Sequence, residues 1–541
     1  MKSKALLTLI FIFGILVGAV GCAPSTPALE VASETEPAVA QETSTPAPAL
    51  EPADLVNPGF EEEDAGGGPS GWISSGDESA ILLEPNGYSG DLRLTHKASE
   101  TYQVETSQTV TGLGNGWYTL SAWTRSSGGQ VESYLVLKCG DEEKRVNIPY
   151  TTPGYRWIRL VVSNKVTDGQ CTINLYSFGT PDSWASFDDI ELVPGQTALS
   201  ILGADISSLH KSEDKGGVYK YSDGTEADAL QILKDNGLNY ARLRVWVDPV
   251  DGYHNKDEIL AMALRLNSLG IKLLVDFHYS DDWADPGKQY KPAAWKDLEF
   301  EGLKQALYDH TFDVCNSLVA QGTPPDMIQV GNEISSGILW PDGHTWDPPN
   351  WDNLAELLTA GYNAVKACSP KTLVMLHIPE GGDNELAHWV FDNLTSRDVP
   401  FDVIGVSYYP FWHGTLAELQ TNLNDISVRY DKDVVVAEFA YAFTVLEDDG
   451  LANIANRNMA TEGYMFTPVG QRNMLRDVMS VVRGVQNGRG LGVFYWDATW
   501  TAVPGNGWES GNPTSENAWE NQALFDFDDK ALPALSEYLN P

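Results

Sequence analysis

Two acidic residues close apolar, strand-like runs in this chain. One run is Met327-Ile-Gln-Val-Gly-Asn-Glu333, and the other is Val434-Val-Val-Ala-Glu438. A carboxyl group at the end of each of two buried strands is what glycoside hydrolysis needs. One acid must keep a proton for the leaving oxygen, and the other must be ionised to attack the sugar. Other strand-like runs also end in chemically loaded residues: Arg242 and Arg244, His278, Asn332, His377, Tyr408 and Trp496. Together they offer cationic and phenolic donors, imidazoles and a stacking surface. A Trp-bearing loop, Ile338-Leu-Trp340-Pro-Asp-Gly-His344, follows the first acid.

Groups so far apart in sequence can meet only if one architecture gathers strand ends. From about residue 200, apolar runs alternate with amphipathic stretches such as 227–236, 257–269, 302–320, 354–367 and 474–485. Strands are predicted to end near Asp205, Trp246, His278, Glu333, His377, Tyr408, Glu438 and Trp496. Eight such units predict a (β/α)8 TIM barrel over 200–541, whose C-terminal face collects every strand end around one mouth. Residues 54–195 read differently. Short alternating runs such as Tyr118-Thr-Leu-Ser-Ala-Trp123 and Trp157-Ile-Arg-Leu-Val-Val162 lie between Gly-rich turns, the pattern of an all-β sandwich.

The ordered segments of the second domain resemble glycoside hydrolase family 53, the arabinogalactan endo-β-1,4-galactanases. They are Gly203-Ala-Asp-Ile-Ser207, Tyr240-Ala-Arg-Leu-Arg-Val-Trp-Val-Asp-Pro249, Asp276-Phe-His-Tyr-Ser-Asp-Asp-Trp-Ala-Asp-Pro286, Gly331-Asn-Glu-Ile334 with Leu339-Trp-Pro-Asp-Gly343, Ser407-Tyr-Tyr-Pro-Phe-Trp-His-Gly414 and Trp519-Glu-Asn-Gln-Ala-Leu-Phe-Asp-Phe527. The resemblance implies a retaining, endo-acting hydrolase with galactan or type I arabinogalactan as substrate. It implies Glu333 as proton donor and Glu438 as nucleophile, with no cofactor needed for the chemistry. Arg244 (or Arg242, which has the same facing parity) and Tyr408 are the expected donors to Glu438. Asn332 is expected on the sugar 2-OH, and Trp496 under the ring at the cleavage point. His278 and His377 are expected on sugar hydroxyls or on the acids, and Trp340 among the sugar platforms with Trp283, Trp346 and Trp412. The alternatives are another retaining endo-β-glycanase of the same clan, acting on mannan, xylan or cellulose, or a non-catalytic surface glycan-binding protein. The chain departs from the family pattern at Glu438-Phe-Ala-Tyr-Ala-Phe443 and at Trp496-Asp-Ala-Thr-Trp500.

The sandwich ends, Asn57-Pro-Gly-Phe-Glu61 and Phe187-Asp-Asp-Ile-Glu191, resemble those of jelly-roll carbohydrate-binding modules, family 61 in particular. Trp72, Trp117, Trp123 and Trp184 are its candidate ring-stacking residues. Oxygen-rich acid clusters suit calcium. A structural calcium is expected of such module ends, and a second candidate site lies at Asp448 and Asn453 in the loop Glu447-Asp-Asp-Gly-Leu-Ala-Asn453.

Residues 1–22 read as a lipoprotein-type export signal: Lys2 and Lys4, an apolar stretch, then Ala19-Val-Gly-Cys22. Cys22 is the expected lipidation site. It would anchor an exported protein at the cell surface or outer membrane, with plain secretion as the alternative. Residues 23–53 are a Pro, Thr and Glu-rich spacer that cannot build a core. A formal charge of −40 argues against nucleic acid as a partner. A monomer is expected. Cys139 and Cys171 lie on neighbouring strand-like runs and are able to pair, whereas Cys315 and Cys368, in helical patterns, are expected to be free and buried.

Overall fold

The computed structural model describes residues 52–540 apart from 152, 153, 155 and 513. The export signal, Cys22 and all but the last two residues of the spacer lie outside the described residues. Ten strands form the first domain: β1 (Ile73–Gly76), β2 (Ile81–Pro85), β3 (Leu92–Lys97), β4 (Tyr102–Thr111), β5 (Gly116–Ser126), β6 (Glu132–Cys139), β7 (Glu142–Asn147), β8 (Ile158–Val166), β9 (Gln170–Gly179) and β10 (Trp184–Pro194). They pair as two antiparallel sheets of order β1-β4-β9-β6-β7 and β2-β3-β10-β5-β8. Burial alternates along β4 and β9, as expected when one face of a sheet meets a core and the other meets water. Cys139 on β6 and Cys171 on β9 are disulfide-bonded.

The second domain is a closed barrel of eight parallel strands. These are β11 (Ile201–Asp205), β12 (Tyr240–Val245), β13 (Lys272–Phe277), β14 (Met327–Val330), β17 (Leu373–Ile378), β18 (Val403–Ser407), β19 (Asp433–Phe439) and β20 (Gly490–Tyr495). The two-residue pair β15 (Gly337–Ile338) and β16 (Gly343–His344) lies in the loop after β14. The barrel strands are buried almost throughout, which explains their unbroken Val, Ile and Leu runs. Ile201, Tyr240, Leu274, Met327, Met375, Val403, Val435, Ala437 and Phe494 form one separate core cluster, the side-chain plug expected inside such a barrel. Gly203 makes room for it: a Cβ there would stand 2.4 Å from the Phe494 ring.

Around the barrel run α1 (Leu209–Asp214), α2 (Ala229–Asp235), α3 (Lys256–Ser268), α4 (Phe300–Gln321), α5 (Trp351–Cys368), α6 (Asn384–Thr395), α7 (Leu416–Arg429) and α8 (Pro468–Arg483). Side-chain N-caps at Asp228, Asn255, Asp383, Thr415 and Thr467 start five of them. Each such cap contributes about 0.5–2 kcal/mol. The expectation for the helical cysteines is corrected: Cys315 on α4 and Cys368 at the end of α5 form a second disulfide. Helical periodicity locates a buried face but not the neighbouring helix that this face meets.

Candidate active site

Arg242 is the hub of the mouth. Its guanidinium lies 2.8 Å from each of Asp205, Asp276 and Glu438. It also donates to Asn332 Oδ1 at 3.0 Å and Gln329 Oε1 at 3.2 Å. It is 1% exposed, so its charge acts with little solvent screening. The β11–β12 register pairs Asp205 with Arg242, which places the first of these contacts directly.

Glu438, at the end of β19, accepts from Tyr409 Oη at 2.9 Å on Oε2, while Arg242 holds Oε1. Burial, with Asp276 and Asp205 adding to it, leaves its carboxyl pKa above the usual value, and the adjacent Arg242 charge and the Tyr409 hydrogen bond oppose that rise. The Tyr409 phenol is held well above its ordinary value by burial and by the Glu438 and Glu333 charges, so it remains a donor.

Glu333 is placed differently. It follows Gly331 and Asn332 after β14 and adopts a left-handed backbone, φ 47° and ψ 51°. Such a conformation costs a non-glycine residue about 1–3 kcal/mol and recurs at active sites. Its Oε1 accepts from Ser407 Oγ at 2.7 Å. Its pKa is pushed up to about 8 by burial and by the charge of Glu438. The two acids are therefore inequivalent: one is paired with a guanidinium, and the other faces a carboxylate and has no ion-pair partner among the described residues. The first is poised to be ionised while the second keeps its proton.

The remaining sequence-predicted residues divide. Asn332 is buried, with Nδ2 donating to Ala284 O at 2.9 Å. His377 Nε2 donates to Ser407 Oγ at 2.9 Å, which in turn donates to Glu333, so Nδ1 accepts Gln329 Nε2–H at 3.1 Å and Glu333 N–H at 3.4 Å. Burial and Arg242 hold its pKa well below the usual imidazole value. His278 accepts Ala284 N–H on Nδ1, so Nε2 carries the proton and donates to Asp276 at 2.9 Å.

The structure chooses between the two arginines and corrects the tyrosine. Arg244 does not reach Glu438; it pairs with Asp497 at 2.9 Å and lies 4.1 Å over the Trp283 ring. Arg242, with the same parity one pleat deeper, is the group on the acid. Tyr408 is fully buried and donates to Gly414 O, so Tyr409 takes the expected role. Strand alternation explains this: Ser407 faces the mouth, hence Tyr409 does too, and Tyr408 points away. Ser407, Tyr409, Asp205, Asp276 and Gln329 carried no assigned role in the sequence, although alternation along β18 pointed to the first two.

Aromatic rings surround the acids. Trp496 is 4.7 Å from Trp519 and 6.4 Å from Tyr409. Trp283, Trp500 and Trp508 stack beyond it. Across the mouth Trp340 meets Trp346 and Tyr290 edge-on. Trp346 and Trp412 are about half exposed. On the sandwich, Trp72 is core, packed on Phe60. Trp117 is partly exposed, and Trp123 stacks on Tyr88 at 3.8 Å. Arg125 lies 4.5 Å over Trp157 and 5.8 Å from Trp184.

At the calcium candidate, Asp448 N–H donates to Glu520 Oε1 and Asn453 Nδ2 approaches the same oxygen at 3.4 Å. Asn453 Oδ1 and Glu520 Oε2 are buried with no hydrogen-bond partner. Burial and the neighbouring Asp449 and Asp448 push Glu520 up to about 7. Such orphaned oxygens fit a hard cation. Among the described residues no group of three His, Cys, Asp or Glu side chains is gathered to hold a metal.

A (β/α)8 barrel with two unequal carboxyls at the ends of its fourth and seventh strands, ringed by tryptophan, defines a glycoside hydrolase. The profile of glycosyl hydrolase family 53 matches residues 201–538, and the chain belongs to that family. It is 34% identical to an endo-beta-1,4-galactanase of Bacillus subtilis over 383 residues, 64% of this chain and 87% of that one. It is 39% identical to arabinogalactan endo-beta-1,4-galactanase A of Aspergillus niger over 314 residues, 56% of this chain and 86% of that one. The solved catalytic domain of a family 53 protein from Ignisphaera aggregans superposes with a TM-score of 0.60 at 39% identity, covering 63% of this chain and 95% of that domain.

Proposed function

We propose that this protein is an exported endo-β-1,4-galactanase that cleaves internal bonds of galactan or type I arabinogalactan with retention. The observation that carries the mechanism is the asymmetry of the acids. Arg242 and Tyr409 hold Glu438 as a carboxylate, and burial beside that charge keeps Glu333 protonated. Glu438 attacks the anomeric carbon while Glu333 gives its proton to the departing glycosidic oxygen. Glu333, now ionised, takes a proton from water, whose oxygen displaces Glu438 and restores both groups. Asn332 faces the sugar 2-OH, and Trp496 stacks beneath the ring. Substrate choice rests on the galactanases to which the barrel is similar.

The sandwich acts as a galactan-binding module through the ring and guanidinium patch of Tyr88, Trp123, Arg125, Trp157 and Trp184. It raises the local concentration of polymer at the mouth. Calcium, held by Asp448, Asn453 and Glu520, would fix the loops beside strands seven and eight, and the chemistry does not pass through it. Two disulfides support export, since such bonds persist in oxidising compartments. Among the described residues no helix is long and apolar enough to cross a membrane, and the lipid on Cys22 is the proposed anchor.

Digestion of linear galactan with product analysis tests activity, substrate and endo action together. Short oligosaccharides accumulating from galactan, and not from xylan or mannan, are expected. Release from xylan or mannan alone overturns the substrate. Glu438→Ala should abolish turnover while keeping binding.

A further inference from the structure

The sandwich is bolted to the barrel through the edge strand β8. Gln420 on α7 accepts Arg159 N–H at 2.7 Å and returns a hydrogen bond to Arg159 O at 2.8 Å. Ser480 on α8 does the same for Val161, at 3.0 and 2.9 Å. Both side chains are buried. Two barrel side chains thus satisfy the donors and acceptors that an edge strand leaves open, and they fix the sandwich in one orientation.

That orientation brings sandwich residues to the catalytic face. A cleft of about 480 Å³ on the seam is lined by Arg156 of the sandwich and by Glu380, Asp383, Glu385, Trp412 and His413 of the barrel. The barrel residues belong to the loops after β17 and β18 and to the first turn of α6, on the face of the barrel where the mouth opens. Trp412 is 51% exposed, and its ring lies 5.8 Å from that of Tyr409, the residue bound to Glu438. The cleft is thus one aromatic ring removed from the nucleophile. Arg156 is exposed, with no ion-pair partner among the described residues, and sits three residues from the Gln420 clamp. A flat ring, exposed carboxylates and a guanidinium around one cleft suit a neutral polyhydroxylated chain: the ring stacks, the acids accept from hydroxyls, and the arginine donates to them.

We propose that this seam cleft is a distal galactan subsite shared by both domains, with Arg156 donating to hydroxyls of a sugar several units from the cleaved bond. This rests on the galactanase reading and extends it, because the sandwich then forms part of the enzyme's substrate path as well as a separate binding module.

The test uses the full-length protein with β-1,4-linked galactotetraose and galacto-octaose. Arg156→Ala should lower the ratio of kcat/KM on octaose to that on tetraose about tenfold, as expected for losing a charged hydrogen bond, chiefly through KM. Arg156→Lys should restore part of the ratio. Glu385→Gln, on the barrel side of the cleft, should lower it too. Loss of equal size on both lengths, or no loss in either variant, overturns the shared subsite. Wild-type protein that hydrolyses neither oligosaccharide overturns the galactanase reading instead.

Discussion

Replacing Tyr409 by Phe removes one oxygen and leaves the ring among Trp412, Trp519 and Trp496. The lost hydrogen bond is the 2.9 Å contact to Glu438 Oε2. A bond to a charged acceptor contributes about 1.5–3 kcal/mol, and about 1.36 kcal/mol corresponds to one pKa unit. The bond favours the ionised carboxylate, so its loss raises the Glu438 pKa by about one to two units. The nucleophile must be ionised to act. The acid limb of kcat/KM against pH therefore moves upward by about that amount. Glu333 must be protonated, and its limb, near 8, lies on the other side. With the limbs closer together, the fraction carrying both correct states falls, so the profile narrows and its maximum drops. The assay is kcat/KM on galactan between about pH 3 and 10, with near-ultraviolet circular dichroism as the fold control. A uniform fall in rate with the acid limb unmoved would refute the reasoning, because Tyr409 would then act without tuning Glu438. A shift of the basic limb alone would place the phenol on the wrong acid. The limbs belong to the coupled pair, so it is the change between proteins that is diagnostic.

Ser407→Ala removes the donor that lowers the Glu333 pKa, so the basic limb should move above its wild-type position; a downward move in the same pH profile contradicts this. Arg242→Met leaves Asp205, Asp276 and Glu438 buried without their cation. It should abolish turnover and cost about 3–5 kcal/mol of stability by denaturant unfolding. Trp157→Ala, on the sandwich patch beside Arg125, should weaken retention on galactan in affinity electrophoresis while leaving turnover of galactotriose intact. Chelation with EDTA should lower the melting temperature by calorimetry, with recovery on added calcium, and Asn453→Ala should abolish that response.

The barrel was legible because each strand is an unbroken apolar run. The eight predicted ends fall within three residues of β11 to β14 and β17 to β20. Glu333 and Glu438 stood out because each lies at the end of an apolar run, although Asp205 does too and drew no role. What stayed hidden depends on depth and orientation. Arg242 and Arg244 share parity, and nothing in one sequence says that the deeper one reaches the acid while the other turns to Asp497. Tyr408 and Tyr409 are adjacent and chemically identical, and only the facing of Ser407 separates them. The disulfide between α4 and α5 escaped because helix neighbours are a property of the closed ring, not of either helix. The seam escaped for a similar reason, since Gln420 and Ser480 are unremarkable helix residues until an edge strand lies against them.

The charge balance of the mouth explains why one arginine serves two opposite ends. Asp205, Asp276 and Glu438 surround Arg242, so the cluster is short of positive charge even after its ion pairs. Arg242 touches Glu438 directly, and a contact at 2.8 Å outweighs the more distant carboxylates there. Glu333 is held by Ser407, a neutral donor, and the charge of Glu438 reaches it with Arg242 only partly opposing. The guanidinium therefore favours the charged form of the nucleophile against burial and against Asp276 and Asp205, whereas the acid feels the charge of Glu438 more than that of Arg242. Exchanging Arg242 for a neutral residue should collapse this distinction, leaving two buried carboxyls that compete for protons with no fixed order. The inequality of the acids is thus a property of where the single guanidinium sits, and not of the acids themselves.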